Sequence, residues 1–325
     1  PTMYLRAVDF DIPHTEIDIA TSLGYEMLVD LISGAEIDTI IHYAEQPSAP
    51  YSMRSRLAAI GTQENNTTGT LNVMHAVKHV NPDIHIIKLG TMGEYGTPNI
   101  DIEEGYLDVE HKGRTDRVLY PKRPGSFYHL SKVHDSANLE FGCRVWGLRV
   151  TDLNQGIVYG TSTAESKLTD SSGTTFHYDE TFGTVLNRFI VQSLLGLPLT
   201  VYGGGSQTRA VLNIRDTMQC VDIASQVPAD SGEFKVRNQY TQSLSVRGIA
   251  DRVIAAIGGS VEKLPNPRVE QEDHYYNPTN DSFIGDGLCP VFLTAGVIQG
   301  MATDITPFLG NVDRESIAPR TNWNL

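Results

Sequence analysis

Short, nearly unbroken apolar runs alternate with helix-patterned segments through the first half of the chain, and no other feature limits the fold as sharply. Ile37–Tyr43 (I-D-T-I-I-H-Y) and Ile84–Leu89 (I-H-I-I-K-L) are β-branched and too short for buried helices, so both read as buried strands. Between them, Asn65–Val80 carries Leu71, Met74, Val77 and Val80 at helical spacing. Phe127–Phe141 reads as a second helix and Val145–Val150 as a further strand. A strand that is apolar on both faces must be covered on both faces. Alternation of this kind therefore predicts an α/β fold with a Rossmann-like, doubly wound parallel sheet.

Two stretches interrupt the rhythm. Tyr106–Tyr120 alternates polar and apolar residues around a Gly-containing turn and predicts a hairpin. Thr161–Asp179 is polar and rich in Ser and Thr, which predicts a surface loop. Beyond about residue 180 the alternation weakens. A helix is expected near Asn187–Leu195, then Pro198–Tyr202 and a turn at Gly203–Gly205. Ser245 stands where a helix through Ile257 needs its N-cap. The expected division is a nucleotide-binding domain over 1–155 and a smaller substrate-binding domain over 156–325, with 208–240 able to return to the sheet.

Composition narrows the function classes. With 40% hydrophobic and 20% charged residues an ordinary packed core is available, which excludes a disordered chain. The net charge of −14 argues against nucleic acid and against anionic membranes as partners, since both need a basic surface. A small anionic ligand stays open, because a few arginines hold phosphates locally. The three cysteines are widely spaced and lack a C-x-x-C, so no disulfide framework or metal site is expected, and a reducing compartment is. No apolar run reaches the length of a membrane span, and no insertion is expected.

The strongest local chemistry is Tyr128-His129-Leu130-Ser131-Lys132. Tyr and Lys at i and i+4 lie one turn apart on one helix face. An ammonium favours a nearby phenolate, and a phenolate can take a proton from a sugar hydroxyl while hydride leaves the same carbon. Taken alone, Y-x-x-x-K also matches an ordinary surface pair. Its setting is more telling, because the strand Ile84–Leu89 ends in Gly90-Thr91-Met92-Gly93-Glu94-Tyr95-Gly96. A hydroxyl just past the carboxyl end of a parallel strand stands where open α/β sheets bind ligands.

Strand, Thr, then Tyr-x-x-x-Lys on the next helix resembles the short-chain dehydrogenase/reductase superfamily, whose Ser/Thr, Tyr and Lys act together on a nicotinamide cofactor. Asn66-Thr67-Thr68-Gly69-Thr70-Leu71-Asn72 resembles the N-x-x-G-T-x-N helix of its extended branch, and Leu148 through Asn154 its strand ending in a substrate-contacting Asn. Gly203 through Arg209, followed by Arg215-Asp216, resembles the loop whose arginine grips a nucleotide diphosphate. Within that branch the chain resembles the UDP-sulfoquinovose synthases over about residues 36–277. The resemblance is carried by Ser48 through Met53, Lys88 through Tyr106, Phe127 through Ser136, Thr151 through Gly160 and Pro265 through Asn277.

The resemblance implies tightly held NAD, with UDP-glucose and sulfite as substrates. Hydride leaves C4, water is lost across C5 and C6, sulfite adds at C6 and hydride returns. It makes Tyr128 the base and acid at O4, with Lys132 lowering its pKa and holding the nicotinamide ribose, and Thr91 bonded to O4. His129 becomes the candidate for proton transfer at C5 or C6, and Glu94 a further catalytic candidate. Asp18, Ile19, Glu45, Gln46, Asn66 and Val158 are the cofactor-binding candidates. The sugar nucleotide is expected against Thr91, Met92, Gly93, Asn154, Gln155, Asn187, Thr200, Tyr202 and Gln207, with Arg209 and Arg268 clamping its diphosphate. A homodimer is implied too, in a chloroplast stroma or a bacterial or archaeal cytoplasm.

The pattern is not followed everywhere. Pro47 stands where the family carries an arginine, and Met92-Gly93 replaces the Asp-Glu of plain 4,6-dehydratases. Ala210-Val211-Leu212-Asn213 replaces its Gly-Tyr-Leu-Asp. No G-x-G-x-x-G occurs in the first 60 residues, so the first βαβ unit is expected to precede the chain in the natural protein. A 4-epimerase, a 4,6-dehydratase and a non-catalytic nucleotide-sugar scaffold remain alternatives at this point.

Overall fold

The computed structural model describes residues 13–167, 175–268, 274–317 and 323. The first part runs α1 (Ser22–Ser33), β1 (Thr39–His42), α2 (Ala49–Ser52), α3 (Arg56–Gln63), α4 (Gly69–Val80), β2 (His85–Thr91), β3 (Tyr106–His111), β4 (Arg114–Leu119), α5 (Phe127–Trp146) and β5 (Arg149–Gln155). Beyond it come β6 (Ile157–Tyr159), α6 (Val185–Leu194), β7 (Leu199–Tyr202), β8 (Thr208–Asn213), α7 (Ile214–Gln226), β9 (Phe234–Gln239), β10 (Gln242–Ser245), α8 (Val246–Ile257), β11 (Val261–Leu264), α9 (Asp281–Gly285) and α10 (Ala295–Ile305).

Strands β1-β2-β5-β9 form a parallel sheet in that order, with Ile40 opposite Ile86, Ile86 opposite Val150 and Val150 opposite Phe234. Side chains alternate across it. Ile86 and Val150 pack with Met74 and Val77 of α4 and Leu139 of α5 on one face. Ile87 and Leu153 pack with Cys220 and Ala224 of α7 and Phe283 of α9 on the other. The sheet is therefore wound on both faces, which is why its strands read as continuous apolar runs. A separate core joins α6, α8 and α10 to β7 through Phe189, Ile190, Val201, Ile249, Val253 and Ile298.

Most expected elements are present. Lys112 and Gly113, both at positive φ, turn the β3–β4 hairpin. Ser245 caps α8 by accepting from the Gly248 N–H at 3.0 Å. Two boundaries differ. The stretch 145–150 is not one strand, because α5 continues to Trp146 and stops at left-handed Gly147 (φ 73°), whose N–H bonds Cys143 O. Trp146 packs edge-on against His75, so an aromatic that suggests a strand here anchors a helix end. The helix expected from Asn65 opens with a π-helical turn, Glu64–Thr68, before α4. The loop 161–179 holds a 3₁₀ turn at Glu165–Lys167, and its residues 168–174 lie outside those described.

Candidate active site

The carboxyl ends of β1, β2 and β5 converge on the first turn of α5, and hydroxyl groups fix that turn. Ser126 caps it, accepting from the His129 N–H at 3.1 Å while its Oγ lies 3.1 Å from His129 Nδ1. The Tyr128 N–H donates to Ser52 Oγ at 3.0 Å, and Ser131 Oγ donates to the Tyr128 carbonyl at 2.8 Å. Tyr128 and His129 are thus held by backbone and cap, which leaves the phenol and the outer imidazole edge to face a cleft of about 480 Å³. Of the residues expected to bind the sugar nucleotide, Thr91, Met92, Gly93, Gln155, Tyr202, Gln207, Arg209 and Arg268 line the same cleft.

Past β2 the chain makes a capping box: Thr91 Oγ1 accepts from the Gly93 N–H at 3.2 Å, and Glu94 Oε1 accepts from the Thr91 N–H at 3.1 Å. The tight turn brings Gly93 under the His129 ring, where an added Cβ would lie 2.3 Å from Nε2. Gly93→Ala should therefore push the ring aside and lower turnover by about 10²-fold, the scale of an ångström-sized misplacement, with an unchanged circular-dichroism spectrum. Turnover within twofold of the parent would show that the His129 position is not used.

The capping box also corrects one expectation. Glu94 does not reach the cleft. It is fully buried, accepts from Ser136 Oγ at 3.1 Å, stands 3.5 Å from Lys88 Nζ and pairs closely with Lys122. Burial alone would raise its pKa, but Lys122 and Lys88 outweigh burial and hold it at about 2. It is an ionised structural anchor with no proton to exchange near neutrality.

Lys132 is placed differently from the expectation as well. Its ammonium lies 2.7 Å from Glu45 Oε2 and 3.2 Å from Asp135 Oδ2. Burial works against its charge, and these two carboxylates keep it protonated. Tyr128 is lifted well above the usual tyrosine range, first by burial and then by Glu45 and Glu94, with Lys88 opposing. In this arrangement Lys132 serves the carboxylates, and the phenol holds its proton.

Other expected residues turn away from the cleft. Asn154 is buried beneath it and donates to Tyr95 Oη at 2.7 Å. Asn187 donates to the His177 carbonyl at 3.1 Å, and Thr200 accepts from Gln192 at 3.0 Å. Successive strand residues face opposite sides, so the Gln155 next to Asn154 lines the cleft while Asn154 cannot. Gln46 and Asn66 bind each other: the Gln46 N–H donates to Asn66 Oδ1 at 2.8 Å and Asn66 Nδ2 to the Gln46 carbonyl at 3.1 Å. Asp18 Oδ1 accepts from the Ala20 N–H at 3.1 Å, and Ile19 O accepts from Asn72 at 2.8 Å, which ties the start of α1 to α4. Val158 pairs with Leu212 inside the β6–β8 ladder.

Sequence reading missed Arg188. It is buried against the cleft, with its guanidinium 5.2 Å from the Tyr202 ring and 5.7 Å from the Phe189 ring, and it has no ion pair at salt-bridge distance among the described residues. Burial lowers its pKa, and Tyr202 and Glu180 oppose that. The available signal was an arginine inside the otherwise apolar run V-L-N-R-F-I-V.

Known proteins similar to this chain give its family and fold. A spinach (Spinacia oleracea) protein, the chloroplastic UDP-sulfoquinovose synthase, is 48% identical over 95% of the chain, which spans 65% of the spinach protein's length. The UDP-sulfoquinovose synthase of Sulfolobus acidocaldarius is 41% identical, over 95% of this chain and 82% of that one. Among solved structures, the UDP-glucuronic acid 4-epimerase of Bacillus cereus, in complex with UDP-glucuronic acid and NAD, shares the fold with a TM-score of 0.70 at 18% identity, over 94% of this chain and 85% of that one. Residues 8–238 match the NAD dependent epimerase/dehydratase family. The chain belongs to the NAD dependent epimerase/dehydratase family and, within it, groups with the UDP-sulfoquinovose synthases.

Proposed function

We propose that this protein converts UDP-glucose and sulfite to UDP-sulfoquinovose and water, with NAD as its cofactor. One observation carries the reading: Thr91, Tyr128 and His129 share a single cleft with Arg209 and Arg268. Groups able to carry a proton and guanidinia able to hold phosphate thus face one cleft. The relatives named for this synthesis support it.

The donor set fits a nicotinamide. A threonine hydroxyl at the carboxyl end of β2 stands with a phenol and an ammonium from the first turns of α5, and none of them can accept hydride. Bound NAD supplies the reversible hydride exchange at C4; Tyr128, Lys132 and the strand-end residues Glu45 and Gln46 would border it. Thr91 Oγ1 hydrogen-bonds O4 of the sugar. The Tyr128 phenol first gives its resting proton to solvent; as the phenolate it takes the O4 proton as C4 is oxidised and gives it back as C4 is reduced. The 4-keto group acidifies the C5 proton, which His129 removes and delivers to the departing C6 hydroxyl, releasing water. Sulfite, entering as bisulfite, adds through its sulfur at C6 of the unsaturated ketone and gives its proton to His129, which delivers it to C5. Arg209 and Arg268 hold the diphosphate through charge-assisted hydrogen bonds. Residues 156–325, apart from the stretch 208–240 that returns to the sheet, act as the nucleotide-sugar domain, and the protein works as a homodimer.

Arg209→Ala and Arg268→Ala are each expected to weaken UDP-glucose binding by about 1.5–3 kcal/mol, the range for a hydrogen bond to a charged group. Calorimetric titration reads this directly. Unchanged affinity in both variants would place the diphosphate elsewhere. Among the described residues no helix is long and apolar enough to cross a membrane, and Cys143, Cys220 and Cys289 are all unpaired, which suits a reducing compartment.

A further inference from the structure

The buried charges behind the cleft do not balance. Lys88, Lys122 and Lys132 face Glu45, Glu94, Asp135 and Asp152, and all are nearly or wholly out of solvent. Full ionisation would leave one excess negative charge in surroundings that disfavour it. Lys88 and Lys122 close Glu94 and Asp152, with Lys88 Nζ 3.1 Å from Asp152 Oδ1. Glu45 and Asp135 are left to share one ammonium, that of Lys132, at 2.7 and 3.2 Å. They reach it from different elements: Glu45 from the loop after β1, and Asp135 from the next turn of α5.

Lys132 is also the lysine one helical turn from Tyr128, so the carboxylates and the phenol draw on the same cation. The geometry points to Glu45 as a positioning residue: it holds the Lys132 ammonium, and its charge governs how readily Tyr128 gives up its proton. Glu45 is the largest charge acting on Tyr128, in the sense that keeps the phenol protonated. Burial lifts Glu45 to about 7, and lifts Asp135 as well, so the excess proton of the cluster rests on this pair near neutrality. The other groups facing Glu45 do not supply it. His42 on β1 is kept neutral, at about 3, by burial and then by Lys132 and Lys88. Burial lifts the Tyr43 phenol, and Lys88 stays charged through Asp152 and Glu94 despite its burial. With Glu45 protonated, Lys132 is released toward its neighbours and Tyr128 loses a negative charge beside it. With Glu45 ionised, Lys132 is pinned and the phenol keeps its proton.

This inference rests on Tyr128 as the proton carrier, and the test separates the two. Glu45→Gln keeps shape and hydrogen-bonding oxygen while removing the charge. The limb of the kcat/KM profile that belongs to Tyr128 should move to lower pH by about one unit, the scale set by one nearby charge. Glu45→Asp keeps the charge and should leave the limb in place. Rate losses in both variants with an unmoved limb would make Glu45 merely structural and overturn the proposal. If Tyr128→Phe is inert and the limb still fails to move, only the role of Glu45 falls. If Tyr128→Phe turns over normally, the reaction reading falls first. Should Glu45→Gln fold poorly, parent protein carrying isotope-labelled glutamate decides by nuclear magnetic resonance. One glutamate carboxyl titrating near neutral pH is expected, and titration of every one in the ordinary carboxylate range contradicts the proposal.

Discussion

Tyr128→Phe is expected to keep the fold and to lower turnover by about 10²–10⁴-fold, the range for removing a positioned general acid–base group. The substitution deletes one oxygen. Nothing that fixes the first turn of α5 depends on that oxygen, since Ser52 holds the Tyr128 N–H and Ser131 the carbonyl. The ring itself sits 5.2 Å from the His129 ring, and phenylalanine would preserve that packing. Mass-spectrometric assay of UDP-glucose consumption, beside a thermal melt, separates chemistry from folding. Near-normal consumption by a well-folded variant would remove Tyr128 from the reaction.

Glu94→Gln should act on stability in place of chemistry, by about 3–5 kcal/mol, the loss found when one partner of a buried ion pair is removed. The variant strands two buried lysines, Lys88 and Lys122, against Asp152 alone. The pH dependence follows from the sign of the shift. Glu94 is held at about 2 in the folded chain against an ordinary 4.5, so its contribution is complete above the ordinary value and is lost as pH falls from there toward 2. Glu45, lifted to about 7, works in the opposite sense: its contribution is present below the ordinary carboxylate value and lost as pH rises toward 7. Denaturant unfolding of parent and Glu94→Gln across that acid range should show the parent losing the steeper share of its stability. Equal stability at neutral pH would mean that the Lys88–Glu94–Lys122 contacts carry little net energy.

The sheet was legible because its physics is local. Strands covered on both faces leave apolar runs such as I-H-I-I-K-L, and caps such as Ser245 leave a hydroxyl before a helix. The cleft-facing part of the site was legible through spacing, since Tyr128 and His129 open α5 and Thr91 ends β2. What escaped depends on partners distant in sequence or on a one-residue change of facing. Glu94 turns inward because the capping box curls the chain back on Thr91, and Asn154 turns inward because its strand neighbour turns out. No local pattern links Glu45 to Lys132, so the expected pairing of Lys132 with the phenol could not be checked against that carboxylate. Pro47 does line the cleft, so the arginine carried there by the resembling family has no polar counterpart at that position.

The most direct test incubates the protein with NAD and UDP-glucose, with and without sulfite, and follows the nucleotide sugars by mass spectrometry. A sulfonated UDP-sugar should form only when sulfite is present, with no net consumption of NAD, because the hydride removed from C4 returns to it. A 4-epimer formed equally well without sulfite, or a 4-keto-6-deoxy sugar as the sole product, would contradict the proposed synthesis and leave a different nucleotide-sugar reaction at Thr91, Tyr128 and His129.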